Sequence, residues 1–312
     1  MARFFYNLAL LLLLPYVGLH LLLRSRRQPE YLRHVGERFG GYDIDPGQAL
    51  IWLHAVSVGE TRAAQPLVNA LKARYPGHRI LLTHMTPTGR QASEELFGDG
   101  VLRAYLPYDY PFAVRRFLAH FRPAVGVIME TELWPNLVQA CKAQGIPLLL
   151  ANARLSEKSA RRYARFPNLT RRALRDLAGI AAQTEQDAAR LAALGAPEVA
   201  VLGNVKFDIL PPPEQLARGE ELRRRIGLRP VLLAASTREG EEALLFDALA
   251  KRPTGEALLV VVPRHPQRFD EVAALAVKAG FAVQRRSEDA QIAPPTQVLL
   301  GDSMGEMFAY YA

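Results

Sequence analysis

A carboxylate that follows an apolar run stands where a base would be useful. In IWLHAVSVGET, Ile51 to Thr61, apolar and β-branched residues lead into Ser57, Gly59 and Glu60. Gly59 allows a tight turn there. Glu60 opens the next helical pattern, where it could offset the positive end of a helix dipole or take a proton from a hydroxyl. METELWPN supplies a second group, Glu130 and Glu132, spaced two apart. On an extended strand end both side chains share one face. Glu132 could cap a helix entered at Leu133, which leaves Glu130 the less easily explained of the two. Carboxylates on neighbouring strand ends suit base chemistry on a hydroxyl, one abstracting the proton and the other orienting or tuning it.

The second half of the chain offers different groups. Ser236, Thr237 and Arg238, then Arg264 and His265, then Asp302, Ser303, Met304, Gly305 and Glu306 each follow a candidate strand. Hydroxyls, an Arg and a glycine at helix N-termini form an anion site, although Ser and Thr also serve there as plain caps. Lys206 in GNVKFD could reach a phosphate. The Asp43 and Asp45 pair in YDIDPG precedes the first strand and reads as turn chemistry rather than a metal motif. The histidines lack ligand spacing, so no metal is expected, and neither the dinucleotide glycine pattern nor a P-loop occurs.

What must hold these residues is a run of alternating strands and helices from residue 50 onward. Candidate strands are IWLHAVS, RILLTHMT, VLRAYLPY, AVGVIMET, PLLLANAR, GIAAQTE and VAVLGNVKF, with helical patterns such as TRAAQPLVNALKARY between them. Continuous apolar strands point to a parallel sheet covered on both faces, a doubly wound α/β domain over residues 25–209. The proline run LPPPEQ, from Leu210, marks a linker. PVLLAAST, ALLVVVPRH, FAVQRR and QVLLGDSM then begin a second doubly wound domain, 210–312, which is expected to be incomplete at its C-terminus.

Residues 1–24 are read as a membrane anchor separable from the α/β core. FFYNLALLLLLPYVGLHLLL carries no formal charge, and a helix of that length matches the ~30 Å hydrocarbon core. Arg24, Arg26, Arg27 and Arg33 after it, against Arg3 before it, predict a cytoplasmic globular part. The formal charge of +8 favours an acidic partner, and the basic stretch Arg154 to Asp176 is placed to meet anionic lipid or phosphate. A single cysteine, Cys141, excludes an intrachain disulfide.

With LRHVGERFG, WLHAVSVGE, METELWPN, RLSEKSARRYARF, GNVKFD, PRHPQRF and GDSMGEM in this order, the chain resembles the Kdo transferases, which attach 3-deoxy-D-manno-octulosonic acid to the lipid A precursor of lipopolysaccharide. The resemblance implies a GT-B fold of two Rossmann-like domains facing a cleft, with lipid acceptor on the first and CMP-Kdo on the second. It implies an inverting transfer needing no cofactor, at the cytoplasmic face of the inner membrane, with no nucleic acid as partner. The family's base falls on Glu60, groups stabilising the transition state fall on Glu130 and Lys206, and CMP contacts fall on Arg264, His265, Met304, Gly305 and Glu306.

The two-domain pattern alone fits two other readings. One is a GT-B enzyme for another nucleotide sugar, or an epimerase of the same architecture. The other is a membrane-anchored protein that binds anionic lipid without catalysis.

Overall fold

The computed structural model describes residues 1–26, 28–47, 49–208, 211–252 and 255–312. Arg27 and Leu210, both used above, lie outside the described residues. Two compact units divide at Ile209 and Leu210.

The first unit opens with α1 (Ala2–Ser25), which continues through Pro15. After it come β1 (Leu50–His54), α2 (Val58–Ala63), α3 (Gln65–Arg74), β2 (Arg79–His84), α4 (Pro87–Phe97), β3 (Leu102–Tyr105) and α5 (Pro111–Phe121). Then follow β4 (Val125–Met129), α6 (Pro135–Ala143), β5 (Leu148–Ala153), α7 (Glu157–Tyr163), α8 (Pro167–Asp176), β6 (Gly179–Ala182), α9 (Glu185–Ala193) and β7 (Ala200–Val201). The expected single helix over TRAAQPLVNALKARY is two, α2 and α3. Pro66 has no N–H to continue the ladder, so the chain breaks at Ala64 and restarts with proline in its first turn.

The strands form one parallel sheet in the order β3-β2-β1-β4-β5-β6-β7. Alternation along β1 explains its continuous apolar character. Leu50 and Trp52 enter the core on one face with Leu81, Phe117 and Leu150, while Ile51 and Leu53 enter the other with Val68, Ile80 and Met129. Full burial of each such side chain is worth roughly 1.5–3 kcal/mol. Gly126 on β4 lets the strand pass Trp52, since a Cβ there would lie 2.6 Å from both Trp52 and Leu148. Because β2 and β4 flank β1 on opposite sides, their carboxyl ends open the crevice where such sheets bind ligands. A second concavity of ≈920 Å³ lies over Ile51, Val127, Leu149 and Ala151; its walls hold none of Glu60, Glu130, Glu132 or Lys206.

α1 is tied to this unit at both ends. Arg3, Tyr6 and Asn7 hydrogen-bond to Asp109 and Asn136, and Arg24 donates to the Tyr31 hydroxyl at 3.0 Å. The anchor expected to be separable therefore lies on the core through polar contacts. Its opposite side, with Phe4, Leu12, Tyr16 and Leu19, is exposed and apolar.

The second unit contains α10 (Pro213–Ile226), β8 (Val231–Thr237), α11 (Glu241–Lys251), β9 (Leu258–Pro263), α12 (Phe269–Lys278), β10 (Val283–Arg285), β11 (Val298–Leu300) and α13 (Met307–Tyr311). Its parallel sheet runs β10-β11-β9-β8. Gly219 permits close packing of α10 on α13, because a Cβ there would approach the Ala309 carbonyl oxygen to 2.7 Å.

Candidate active site

Glu60 sits in the first turn of α2, beyond β1. Ser57 is the N-cap of that helix and accepts the Glu60 N–H, as the S-x-x-E spacing allows, while the Glu60 carboxylate bonds back to Val56 rather than to the N-cap N–H of a full capping box. Glu60 Oε2 accepts the Val56 N–H at 2.8 Å, and Oε1 accepts the Ser57 hydroxyl at 3.0 Å. The turn is made at Ala55 to Ser57, whereas Gly59 lies inside α2 and is not needed for it. Glu60 is thus a helix-start carboxylate, but capping does not exhaust it. Burial raises its pKa; the bonds from Val56 and Ser57 oppose that rise, Glu130 adds to it and Lys206 opposes it.

Gly89 at the start of α4 makes room for the β1–α2 turn. A Cβ at that position would stand 3.2 Å from the Val56 carbonyl oxygen and 3.3 Å from the Ser57 carbonyl carbon. Beneath the turn, two buried histidines hold the strand ends together: His54 Nδ1 meets Thr83 Oγ1 at 2.9 Å, and His84 Nδ1 meets the Ala55 carbonyl at 2.9 Å. Burial drives both rings toward the neutral form, His54 to about 3 and His84 to about 4.

Glu130 immediately follows β4 with φ of 57°, in the left-handed region that a non-glycine residue enters at a cost. Its backbone is therefore not extended, and the shared face expected for Glu130 and Glu132 does not follow from strand geometry. Nor does Glu132 cap a helix at Leu133, because α6 starts at Pro135 with Trp134 as N-cap. Glu132 is instead a half-buried carboxyl whose pKa rises to about 7. Burial is the main cause, repulsion from Glu60 and Glu130 adds to it, and Trp134 offsets part. The residue given the plainer role is the one most strongly poised to hold a proton at neutral pH.

Lys206 reaches this group through Asn152. At the end of β5, Asn152 has φ of 54°, and the β5–β6 register shifts around it. Its Oδ1 accepts the Val205 N–H at 3.2 Å, which fixes the short 3₁₀ turn Val205–Asp208 that carries Lys206. The first unit therefore brings together Glu60, Glu130, Glu132 and Lys206.

In the second unit the residues after β8, β9 and β11 are held by ion pairs. Arg268 makes a double contact to the fully buried Glu242, Nη1 to Oε1 at 2.9 Å and Nη2 to Oε2 at 3.0 Å. That pair joins the loop after β9, with Arg264 and His265, to the start of α11, which follows Ser236, Thr237 and Arg238. Ser236 has φ of 57°, where the β8–β9 register shifts. Glu306 is the N-cap of α13 and is already engaged, by Arg218 at 3.3 Å, by Arg286 at 3.5 Å and by the Ser303 hydroxyl. Asp302 accepts from Ser287 N and Oγ. Met304 is 65% exposed, and Gly305 has φ of 78°, which explains glycine at that turn. Asp45, in the pair read as turn chemistry, accepts the Gly47 N–H at 3.0 Å.

An apolar groove of ≈780 Å³ lies between the first turns of α1 and the α7–α8 region, lined by Phe5, Tyr6, Leu133, Arg165, Phe166 and Leu169. Leu133 adjoins Glu132. The basic stretch Arg154 to Asp176 forms α7 and α8, with Arg161 and Arg172 exposed and in loose pairs with Glu157 and Asp176.

Residues 33–209 match the family model described as 3-deoxy-D-manno-octulosonic-acid transferase (kdotransferase). The chain is 45% identical over 327 aligned residues to the 3-deoxy-D-manno-octulosonic acid transferase of Bordetella pertussis, covering 100% of this chain and 76% of that protein. It is 40% identical over 321 aligned residues to the protein of the same name from Haemophilus influenzae, covering 100% of this chain and 74% of that one. The crystal structure of a glycosyltransferase from Rickettsia africae superposes with a TM-score of 0.53 at 15% identity, over 85% of this chain and 71% of that one, a likeness of fold.

Proposed function

The chain belongs to the Kdo transferase family, glycosyltransferases of lipopolysaccharide biosynthesis with the GT-B fold, and from that premise we propose which of its residues perform the transfer. Glu60 is the general base. It takes the proton from an acceptor hydroxyl as that oxygen bonds to the anomeric carbon of Kdo, while the bond from that carbon to the CMP phosphate oxygen breaks and CMP leaves with the electron pair. Attack opposite the leaving group inverts the anomeric centre. The observation that carries this assignment is the raised pKa of a half-buried carboxylate at the sheet's switch point, still oriented by two hydrogen bonds.

Glu130 and Lys206 act on charge. Both perturb Glu60, in opposite directions, so the pair sets how readily it ionises. Lys206 also offers positive charge as CMP departs. The first unit binds the acceptor, a lipid A precursor, with an acyl chain in the groove beside Leu133 and anionic groups near Arg162 and Arg165. The second unit binds CMP-Kdo through Arg264, His265, Met304, Gly305 and the N-terminus of α13, where Glu306 sets the turn by pairing with Arg218 and Arg286.

The protein is membrane-associated through its N-terminal apolar helix, 24 residues long with a mean hydropathy of 1.8 in its most apolar window. We place it on the cytoplasmic face of the inner membrane, with the exposed apolar side of α1 laid on the bilayer and Arg24 and Arg26 at the helix end meeting anionic headgroups. The test is mass spectrometry of lipid A precursor incubated with CMP-Kdo and the full-length protein. A mass increase of one or more Kdo units is expected, at an initial rate lowered by roughly 10² or more in Glu60→Gln. A near-wild-type rate in Glu60→Gln would remove the base assignment, and no transfer by the wild type would remove the substrate assignment.

A further inference from the structure

α1 does more than meet a membrane. Its first three turns reach the same buried pair of residues that starts α6. Asp109, in the loop after β3, is 2% exposed, and Asn136, in the first turn of α6, is 1% exposed. The Asp109 carboxylate accepts the N–H groups of Asn136 and Leu137, each at 2.9 Å, and so closes the N-terminus of α6. Its remaining side-chain partner is the Tyr6 hydroxyl, at 2.9 Å. Asn136 is gripped from both sides as well. Its Nδ2 donates to the Asp109 carbonyl at 2.6 Å and to Asn7 Oδ1 at 2.7 Å, while its Oδ1 accepts from Arg3 Nε at 2.9 Å. Further along α1, the Leu10 carbonyl accepts the Tyr110 hydroxyl at 3.0 Å.

Between β4 and α6 run only five residues, Glu130 to Trp134, and two of them are the carboxylates of the candidate site. One end of that segment is fixed by the sheet. The other is fixed by the start of α6, and that start is held by α1.

We infer that Arg3, Tyr6 and Asn7 are positioning residues for the transfer reaction: through Asp109 and Asn136 they lock the start of α6 and with it the segment that carries Glu130 and Glu132. This rests on the functional reading above. Loss of the Tyr6 hydroxyl leaves a buried carboxylate short of one donor. Burial already pushes Asp109 up to about 6 against the donors that hold it ionised. A loosened α6 start lets Glu130 and Glu132 shift, and small misplacements of this kind are costly in turnover.

The test compares full-length Tyr6→Phe and Arg3→Gln with Leu12→Ser and Leu19→Ser, two changes on the exposed face of the same helix. Turnover is measured with detergent-dispersed lipid A precursor and CMP-Kdo at saturation. Tyr6→Phe and Arg3→Gln are expected to lower kcat about tenfold at a temperature well below Tm, with KM for CMP-Kdo and membrane sedimentation near wild type and Tm lowered only by the loss of one buried hydrogen bond. Leu12→Ser and Leu19→Ser are expected to weaken sedimentation with membranes and keep kcat. The emission of Trp134, against the fixed background of core Trp52, is expected to shift red and to quench more readily in Tyr6→Phe. Wild-type kcat in Tyr6→Phe, or a kcat loss that merely follows Tm or membrane binding, overturns the inference. The fluorescence comparison needs no turnover, so an unchanged Trp134 spectrum overturns it even if the transfer reaction proved to be another one.

Discussion

Ser57 and Glu60 hold each other: the Ser57 hydroxyl donates to Glu60 Oε1 at 3.0 Å, and the Glu60 N–H points back to Ser57 Oγ at 3.5 Å. A base constrained in this way loses little orientation entropy when substrate arrives. Glu60→Gln keeps the size and the acceptor for Val56, so folding should persist while kcat falls by roughly 10² to 10⁴. Ser57→Ala should cost ~1 kcal/mol of stability and reduce kcat far less, since the carboxylate remains. Steady-state kinetics beside thermal unfolding separates the two; equal kcat losses would mean that Glu60 only caps.

The acid limb of kcat/KM should report ionisation of Glu60 and lie above the ordinary carboxylate range. Glu130→Gln removes a repulsion and should move the limb to lower pH. Lys206→Met removes an attraction and should move it higher. Opposite shifts in these two variants are the expected signature, whatever their absolute rates, and a limb that stays put in both would detach them from Glu60.

Glu132 predicts a dependence of stability on pH. Its pKa is raised from 4.5 to about 7 in the folded protein, so the folded state holds a proton that the unfolded state releases. Its contribution is fully present below the lower value and is lost as pH rises through the higher one. Glu132→Gln should therefore match wild type near pH ~4 and exceed it near pH ~8, by ~3 kcal/mol at most. Urea unfolding at the two pH values measures this.

In the second unit, Arg268→Ala should destabilise by about 3–5 kcal/mol, because Glu242 is left buried and unpaired. Replacing both residues with apolar ones should restore most of that loss. The paired replacement still disturbs the loops after β8 and β9, so KM for CMP-Kdo should rise even where Tm recovers.

Charge reversal at Arg161 and Arg165, both exposed, should raise KM for the lipid acceptor more than KM for the donor. Initial rates with each substrate varied in turn would show it, and equal changes in both would return α7 to a plain solvated surface.

Much of this arrangement was legible before any coordinates. Each strand needs an apolar run, so the strands among the described residues fall on the expected segments, with β1 starting one residue early at Leu50 and VAVLGNVKF contributing only Ala200 and Val201. Glu60 was legible because strand ends collect ligands. Asp109 was not, since its partners Asn136 and Tyr6 are 27 and 103 residues away and no local pattern relates them. The Glu242–Arg268 pair, 26 residues apart, is hidden for the same reason. The raised pKa of Glu132 is not legible in METELWPN, because it depends chiefly on burial and on Glu60 from beyond another strand.

Glu130, Asn152 and Ser236, each at or beside a strand's carboxyl end, hold backbone conformations that glycine enters without penalty. Each costs on the order of 1–3 kcal/mol, less for Asn. A directed-evolution library screened for heat resistance alone should consequently enrich glycine at positions 130, 152 and 236, and the survivors should be robust, well-folded and catalytically poor. His34, Arg122 and Asp289 hold the same backbone conformation away from the strand ends and should gain glycine with turnover kept, so it is the loss of turnover that draws the working face of each sheet.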